Sequence, residues 1–316
     1  MRQNNKVLAV CLGITVMLGG CSMGTDNVKS TEAETETGVQ AGEDQEISMN
    51  TENLVSVQDY NGEGYELRNG EETDKIADDN REEIEVAVKK FFSEKYKTDV
   101  IVHNLVGAVD GASVFVESEG KPHFHTFAIV PIDVKSKAVK TDSVWSQEGQ
   151  VENALSAGLF AMAYEKEINN LDAFVNQVIK DYPVVGKNMK AVNNTSSGYY
   201  TSHYFISAFD DTFNRLNSLY MKDQNISKEE IRKFLDESKF DPEAVSITLN
   251  LFMKEANTEP DEKTYDEIIS RIKDNDDLPK GAYALILNDN TIDSKYGTNS
   301  NDNSISKNVL NKIVKE

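Results

Sequence analysis

Asp99-Val-Ile-Val-His-Asn-Leu-Val-Gly-Ala-Val-Asp110, Gly111-Ala-Ser-Val-Phe-Val-Glu-Ser-Glu-Gly120, Lys121-Pro-His-Phe-His-Thr-Phe-Ala-Ile-Val130 and Pro131-Ile-Asp-Val-Lys-Ser-Lys-Ala-Val139 run on without a break, and the stretch closes at Trp145. Its residues are β-branched and aromatic in short runs. Asp110-Gly111, Gly120-Lys-Pro122 and Lys135-Ser-Lys137 punctuate them as hairpin turns do. The pattern predicts strands over Asp99–Val106, Ala112–Ser118, His123–Asp133 and Val139–Trp145. Just before them, Ile84, Val88, Phe91 and Phe92 recur at helical spacing up to Tyr96, and Asp79 with Glu82 has the form of a capping box. A helix laid over one face of an antiparallel meander is the expected N-terminal half, and the fold class is α+β.

Working outward, Val57-Gln-Asp-Tyr60 and the turn-rich Asn61-Gly-Glu-Gly-Tyr65 open the folded part. After the meander a long helix is expected from Gln147 to Glu167, with Ala154, Gly158 and Ala161 as a smooth face, then a helix Leu171–Lys180 ending before Pro183. The polar stretch Gly186–His203 is either an internal boundary or a long surface loop. Helices at Ala208–Met221 and Ser227–Asp236 follow. Val245, Ile247, Leu249, Leu251 and Met253 then alternate with Ser246, Thr248, Asn250 and Phe252, the clearest period-two strand in the chain. A helix Asp261–Lys273, a strand Tyr283–Asn288 and a terminal helix Ile305–Lys315 complete an α/β second half. The expected layout is therefore 57–185 and 204–316 as two α+β halves, or one compact unit.

The N-terminus has a different character. Arg2 and Lys6 precede the apolar run Val7–Leu18, and Gly19-Gly20-Cys21 follows. That order is a secretory signal with its small-residue cleavage site directly before cysteine. It resembles the lipobox of bacterial lipoproteins, which implies a diacylglyceryl group on Cys21 and removal of 1–20. At 14 residues, Val7–Gly20 falls short of the roughly 20 that a bilayer span needs. Ser22–Ser56, with eight acidic residues, one lysine and no aromatic, reads as a disordered acidic tether, so 21–56 is lipidated cysteine plus spacer.

Of the two cysteines, Cys11 leaves with the signal and Cys21 carries the lipid. Disulfides, thiolate zinc sites and thiol catalysis are thereby excluded from the folded part. The net charge of −21 argues against nucleic acid as a partner. It is compatible with a cationic partner or with simple solubility.

Few residues suggest chemistry. His123 and His125 share one face of a predicted strand, and with a carboxylate they would make a metal site; otherwise they form a packed or solvated strand face. His103 and His203 have no spacing that commits them to the same place. Tyr199, Tyr200 and Tyr204, beside Phe205 and Phe209, are candidate ligand-binding residues or core. Glu117, Glu119, Asp133 and Glu148 are possible acid/base pairs. Asp289, Thr291 and Asp293 resemble a Ca²⁺ loop but lack its later Gly and Glu, so a turn is expected. Ser196, Ser197 and His203 have no defined acid partner. Gly62-Glu-Gly64 is too short for a nucleotide loop, and no cofactor is expected.

Val57-Gln-Asp-Tyr-Asn-Gly-Glu-Gly-Tyr65, Val114-Phe-Val-Glu-Ser118, His123-Phe-His-Thr126 with Ile129-Val-Pro-Ile-Asp133, Glu148-Gly-Gln-Val-Glu152, Asp241-Pro-Glu-Ala-Val-Ser-Ile-Thr248 and Leu287-Asn-Asp-Asn-Thr-Ile-Asp293 together resemble a family of uncharacterised lipoproteins from low-GC Gram-positive bacteria, catalogued as a domain of unknown function. The resemblance implies a membrane-attached location and brings no catalytic or binding residues. The expectation is a non-enzymatic protein, lipid-anchored at the outer face of the cytoplasmic membrane, that binds a small ligand, a peptide or an envelope protein. The alternative is an envelope hydrolase using carboxylates or a His123/His125 metal site.

Overall fold

The meander forms as its turns dictate. β2 (Val100–Ala108), β3 (Gly111–Ser118), β4 (His125–Asp133) and β5 (Ala138–Val139) make a four-stranded antiparallel sheet in that order. The computed structural model describes residues 53–298, 303–309 and 312–316. The expected signal 1–20, Cys21 and the tether up to residue 52 lie outside the described residues. Leu54–Ser56, placed at the end of that tether, form β1, which pairs with β11 (Thr291–Asp293). The end of the stretch expected to be tether is therefore part of a sheet.

α2 (Arg81–Tyr96) buries Ile84, Val88, Phe92 and Tyr96, a stripe at every fourth position. These join Val114, Val116, Ala128 and Val130 of the sheet in one core, so the predicted helix-on-meander packing is observed. The predicted cap differs. Asp79 ends a separate helix, α1 (Glu71–Asp79), and Asn80 caps α2 without a side-chain bond to it, donating instead to the Ile76 carbonyl at 2.7 Å. α1 escapes the periodicity because its stripe holds only Ile76 and Ala77 as buried apolar residues. The last predicted strand shortens to β5, and Trp145 returns to Ile129 through an isolated bridge.

A second, seven-stranded sheet runs through the other half: β12 (Ser304–Ile305), β10 (Gly281–Asn288), β9 (Val245–Met253), β8 (Tyr204–Ala208) and β7 (Tyr199–Tyr200), with β13 (Ile313–Lys315) added to β10 and β6 (Val184–Val185) to β9. β9 and β10 are parallel, and α8 (Glu262–Asp274) supplies the crossover that parallel neighbours need. The expected terminal helix Ile305–Lys315 is not found among the described residues of that span, whose ends are β12 and β13. The free edge of β10 explains this, because its N–H and C=O groups need partners that a helix would not offer. Asn308, between the two strands, accepts from the Leu285 N–H at 3.0 Å and donates to the Tyr283 carbonyl at 3.1 Å.

Between the sheets lies α3 (Gln150–Ala163), with ten of its fourteen residues buried, as befits a helix apolar on nearly all sides. It packs on β4, β7 and β8 and on α6 (Asp211–Lys222) and α7 (Lys228–Ser238). The helix predicted to reach Glu167 ends at Tyr164, and α4 (Glu165–Asp181) follows directly. Tyr164 turns inward there, stacked on Phe160 at 4.7 Å, with the Arg232 guanidinium 3.8 Å over its ring. Ser227 and Glu230 form the expected capping box of α7. Ala208, expected in a helix, closes β8, and α6 starts at Asp211 behind the Asp210 cap. The stretch Gly186–His203 is structured rather than loose, carrying α5 (Met189–Thr195) and β7. Among the described residues no helix is long and apolar enough to cross a membrane.

Candidate ligand site at the sheet junction

Side chains alternate along β3 and β4, so the face of the meander turned away from α2 presents Phe115 opposite Phe127 and Glu117 opposite His125. On β2 the register slips between Val102 and Asn104, and this β-bulge sets His103 on the same face. His123 sits two residues before His125, at the end of the turn. Three of the chain's four histidines thus converge on one carboxylate. Glu117 Oε2 lies 2.8 Å from His103 Nε2, and Glu117 Oε1 lies 3.6 Å from His123 Nδ1. The His123 and His125 rings meet edge to face at 5.1 Å.

The stretch Gly186–His203 closes over this face. Gly198 exchanges both backbone hydrogen bonds with His125 at 2.8 Å, which ties the two sheets together at that residue. From α5, Asn193 Nδ2 approaches Glu117 Oε2 at 3.4 Å, and Asn193 Oδ1 accepts from His125 Nε2 at 3.0 Å. His125 is fully buried, and its other nitrogen, Nδ1, has no partner. α3 comes close from the far side: a side chain on Gly158 would put its Cβ 2.6 Å from the His123 carbonyl oxygen. The smooth face predicted for α3 is therefore what lets His123 sit where it does.

Beside His123, the one member of the cluster that reaches it, a cavity of about 190 Å³ is lined also by Lys121, Met162, Glu165, Asp172 and Tyr199. Tyr204, buried behind Tyr199, donates to Asp172 at 2.8 Å. Lys121 and Lys228 pair with Glu165 and pull its carboxyl down to about 2, so it stays ionised between the two lysines. Burial lowers the pKa of His123 and of His125, and of His203 near Asp172. Burial raises Tyr199 and Tyr204, the Asp172 charge adding to it. At neutral pH His123 and His125 are therefore neutral, and Tyr199 and Tyr204 keep their phenolic protons, that of Tyr204 committed to Asp172.

These shifts carry a pH dependence. A histidine whose folded pKa lies below its unfolded value of roughly 6.5 binds more protons when unfolded. Its contribution to stability is complete above that unfolded value and is lost as pH falls through the folded one. The urea midpoint of the metal-free protein is expected to drop between pH 7.5 and pH 5. A midpoint flat over that window would contradict the burial of His125 and His203.

Of the residues singled out by sequence, His123, His125 and Tyr199 come together. Tyr204 supports Tyr199 from behind. Tyr200 does not join them: it stacks on Phe205 at 5.0 Å, and neither lines the cavity. Phe209 stands half exposed, apart from the cluster. Glu117 faces histidines rather than an acid partner, and Asp133 spends its carboxylate on the N–H groups of Lys135 and Ser136 in its own turn. Asp289 and Asp293 likewise accept from N–H groups two or three residues on, as a turn requires. Among the described residues no Ser or Thr hydroxyl is bonded to a histidine side chain. His103, Asn193 and Asp172 are the members that sequence reasoning missed. The only available signal was for Glu117, since a turn centred on Gly120-Lys-Pro122 sets it opposite His125.

The fold has a relative among solved structures. A DUF1672 family protein from Staphylococcus aureus subsp. aureus Mu50 superposes with a TM-score of 0.66, covering 80% of this chain and 96% of that one at 19% identity. At that identity the likeness speaks for the fold. No curated protein matches the chain. Residues 47–315 match the family described as "Protein of unknown function (DUF1672)". The chain is a member of the DUF1672 family.

Proposed function

We propose that this chain is a lipoprotein held at the outer face of the cytoplasmic membrane by a diacylglyceryl group on Cys21, and that its folded part binds a small ligand at the sheet junction without converting it. The observation that carries the binding role is the convergence of His103, His123 and His125 on Glu117 beside a cavity. Ordinary small-molecule sites run to roughly 300–1,000 Å³, so a cavity of about 190 Å³ suits an ion or a ligand of a few atoms better than a peptide. The anchor rests on the charged, apolar and small-residue order ahead of Cys21. Each buried CH₂ contributes ~0.8 kcal/mol, so two acyl chains hold firmly where one is marginal. The acidic spacer 22–52 would lift the fold off the bilayer by self-repulsion.

A second reading, a metal-dependent envelope hydrolase, draws on Glu117 standing beside two imidazoles, the ligand number of catalytic sites. Fractionation of the producing cells tests the anchor. Wild type is expected in the membrane pellet carrying acyl label, and Cys21→Ser in the soluble fraction without label. A Cys21→Ser protein that still pellets and labels would end the lipoprotein reading. Assaying the metal-loaded protein on ester and phosphoester substrates separates the two roles, with no turnover expected.

A further inference from the structure

We infer that the junction binds one divalent transition-metal ion of the zinc class, ligated by Glu117, His123 and His125, with His103 and Asn193 holding those ligands from behind. The inference rests on reading the junction as the binding site and names its occupant. One donor atom from each of the three residues lies within 4.8 Å of the other two. An ion at ~2.0–2.2 Å from nitrogen and oxygen ligands holds its donors roughly 3–3.6 Å apart. Glu117 Oε1 and His123 Nδ1 already stand at 3.6 Å, so small side-chain rotations complete the set.

The surroundings match what such a site needs. His103 Nε2 on Glu117 Oε2 leaves the other oxygen turned toward His123. The Asn193 amide is oriented by its contact with Glu117, which makes its oxygen the group facing His125 Nε2. That bond places the His125 proton on Nε2 and leaves an unclaimed lone pair on a buried ring, since Nδ1 has no partner. Outer partners of this kind fix tautomer and orientation in metal sites. Two imidazoles and a carboxylate without thiolate favour zinc and its neighbours over Cu(I). Glu117 and His123 remain partly open to solvent, at 22% and 35% of their side-chain surface, so an ion can enter.

The test uses the full-length chain purified in detergent, stripped with chelator and titrated with Zn²⁺ by calorimetry. Bound metal is counted by elemental mass spectrometry after desalting. One zinc per chain is expected. His123→Ala and Glu117→Gln are each expected to weaken binding more than tenfold, and His103→Ala by about tenfold, the scale of lost outer partners. His203→Ala should leave binding unchanged. Co²⁺ provides a second readout, because its visible spectrum should change in His123→Ala and not in His203→Ala. His123 is partly exposed, at 35% of its side-chain surface, so its variant decides the matter should Glu117→Gln fail to fold. No retained zinc, or equal retention by wild type and His123→Ala, overturns the assignment. That failure would leave the anchor untouched, since the Cys21→Ser fractionation decides it separately.

Discussion

Replacing Phe160 with alanine is expected to cost about 3–5 kcal/mol of stability, the range for deleting a buried aromatic ring. Phe160 is fully buried in the last turn of α3. Its ring stacks on Tyr164 at 4.7 Å and meets the edges of Phe240 at 6.2 Å and Phe213 at 6.4 Å. Those partners come from the α3–α4 junction, from α6 and from the segment after α7, so no single element can move in to fill the void. Domains of this kind are stable by only ~5–15 kcal/mol, so the loss is a large share of the total. Because one core runs through both sheets, the loss is expected to appear everywhere at once. Fluorescence of Trp145, the chain's single tryptophan, reports on the meander, and far-UV circular dichroism reports on all helices. In urea both should move together to a lower midpoint. A meander signal that stays at the wild-type midpoint while the helices melt would mean the halves fold independently.

Gly158→Val should show the second-largest effect, and its interest lies in where the strain lands. A Cβ at this position would meet the His123 carbonyl oxygen at 2.6 Å and the Pro122 side chain at 3.3 Å. Both belong to the turn entering β4, so either α3 or that turn must shift. Overpacking of this kind typically costs about 1–3 kcal/mol. The accompanying expectation is local: His123 moves away from Glu117, and the imidazole NMR signals of His123 and His125 shift while that of His203 stays. Unchanged signals for all three, with an unchanged urea midpoint, would show that the close approach of α3 does not set the site.

The fold was legible where local chemistry and tertiary demand agree. Asp110-Gly111 and Gly120-Lys-Pro122 punctuate β2, β3 and β4 correctly, and the four-residue spacing of Ile84, Val88, Phe92 and Tyr96 reveals α2. Legibility failed where tertiary partners overrule spacing. Ile305, Val309 and Ile313 recur every fourth residue like a helix stripe, yet the bare edge of β10 draws their neighbourhood into strands. Tyr164 interrupts what reads as one helix because its ring is claimed by Phe160 and Arg232.

For the site, the nearness of His123 and His125 was legible from strand alternation, although β4 begins only at His125 and His123 lies in the turn before it. His103 did not, because a bulge on β2 moved it into place and nothing in Val-His-Asn announces one. Asn193 was hidden for another reason. It sits on a seven-residue helix inside a polar stretch, where composition resembles a linker and only the backbone pairing of Gly198 with His125 shows that the segment walls the site.

Glu117, His123 and His125 are proposed to form a single ion-binding place between the two sheets. Anomalous diffraction at the zinc edge, from crystals of the protein grown with one equivalent of Zn²⁺, reaches it most directly. One strong peak is expected within bonding distance of all three side chains. A peak anywhere else, or density showing Glu117 still held by His103 and His123 with no ion between them, would contradict it.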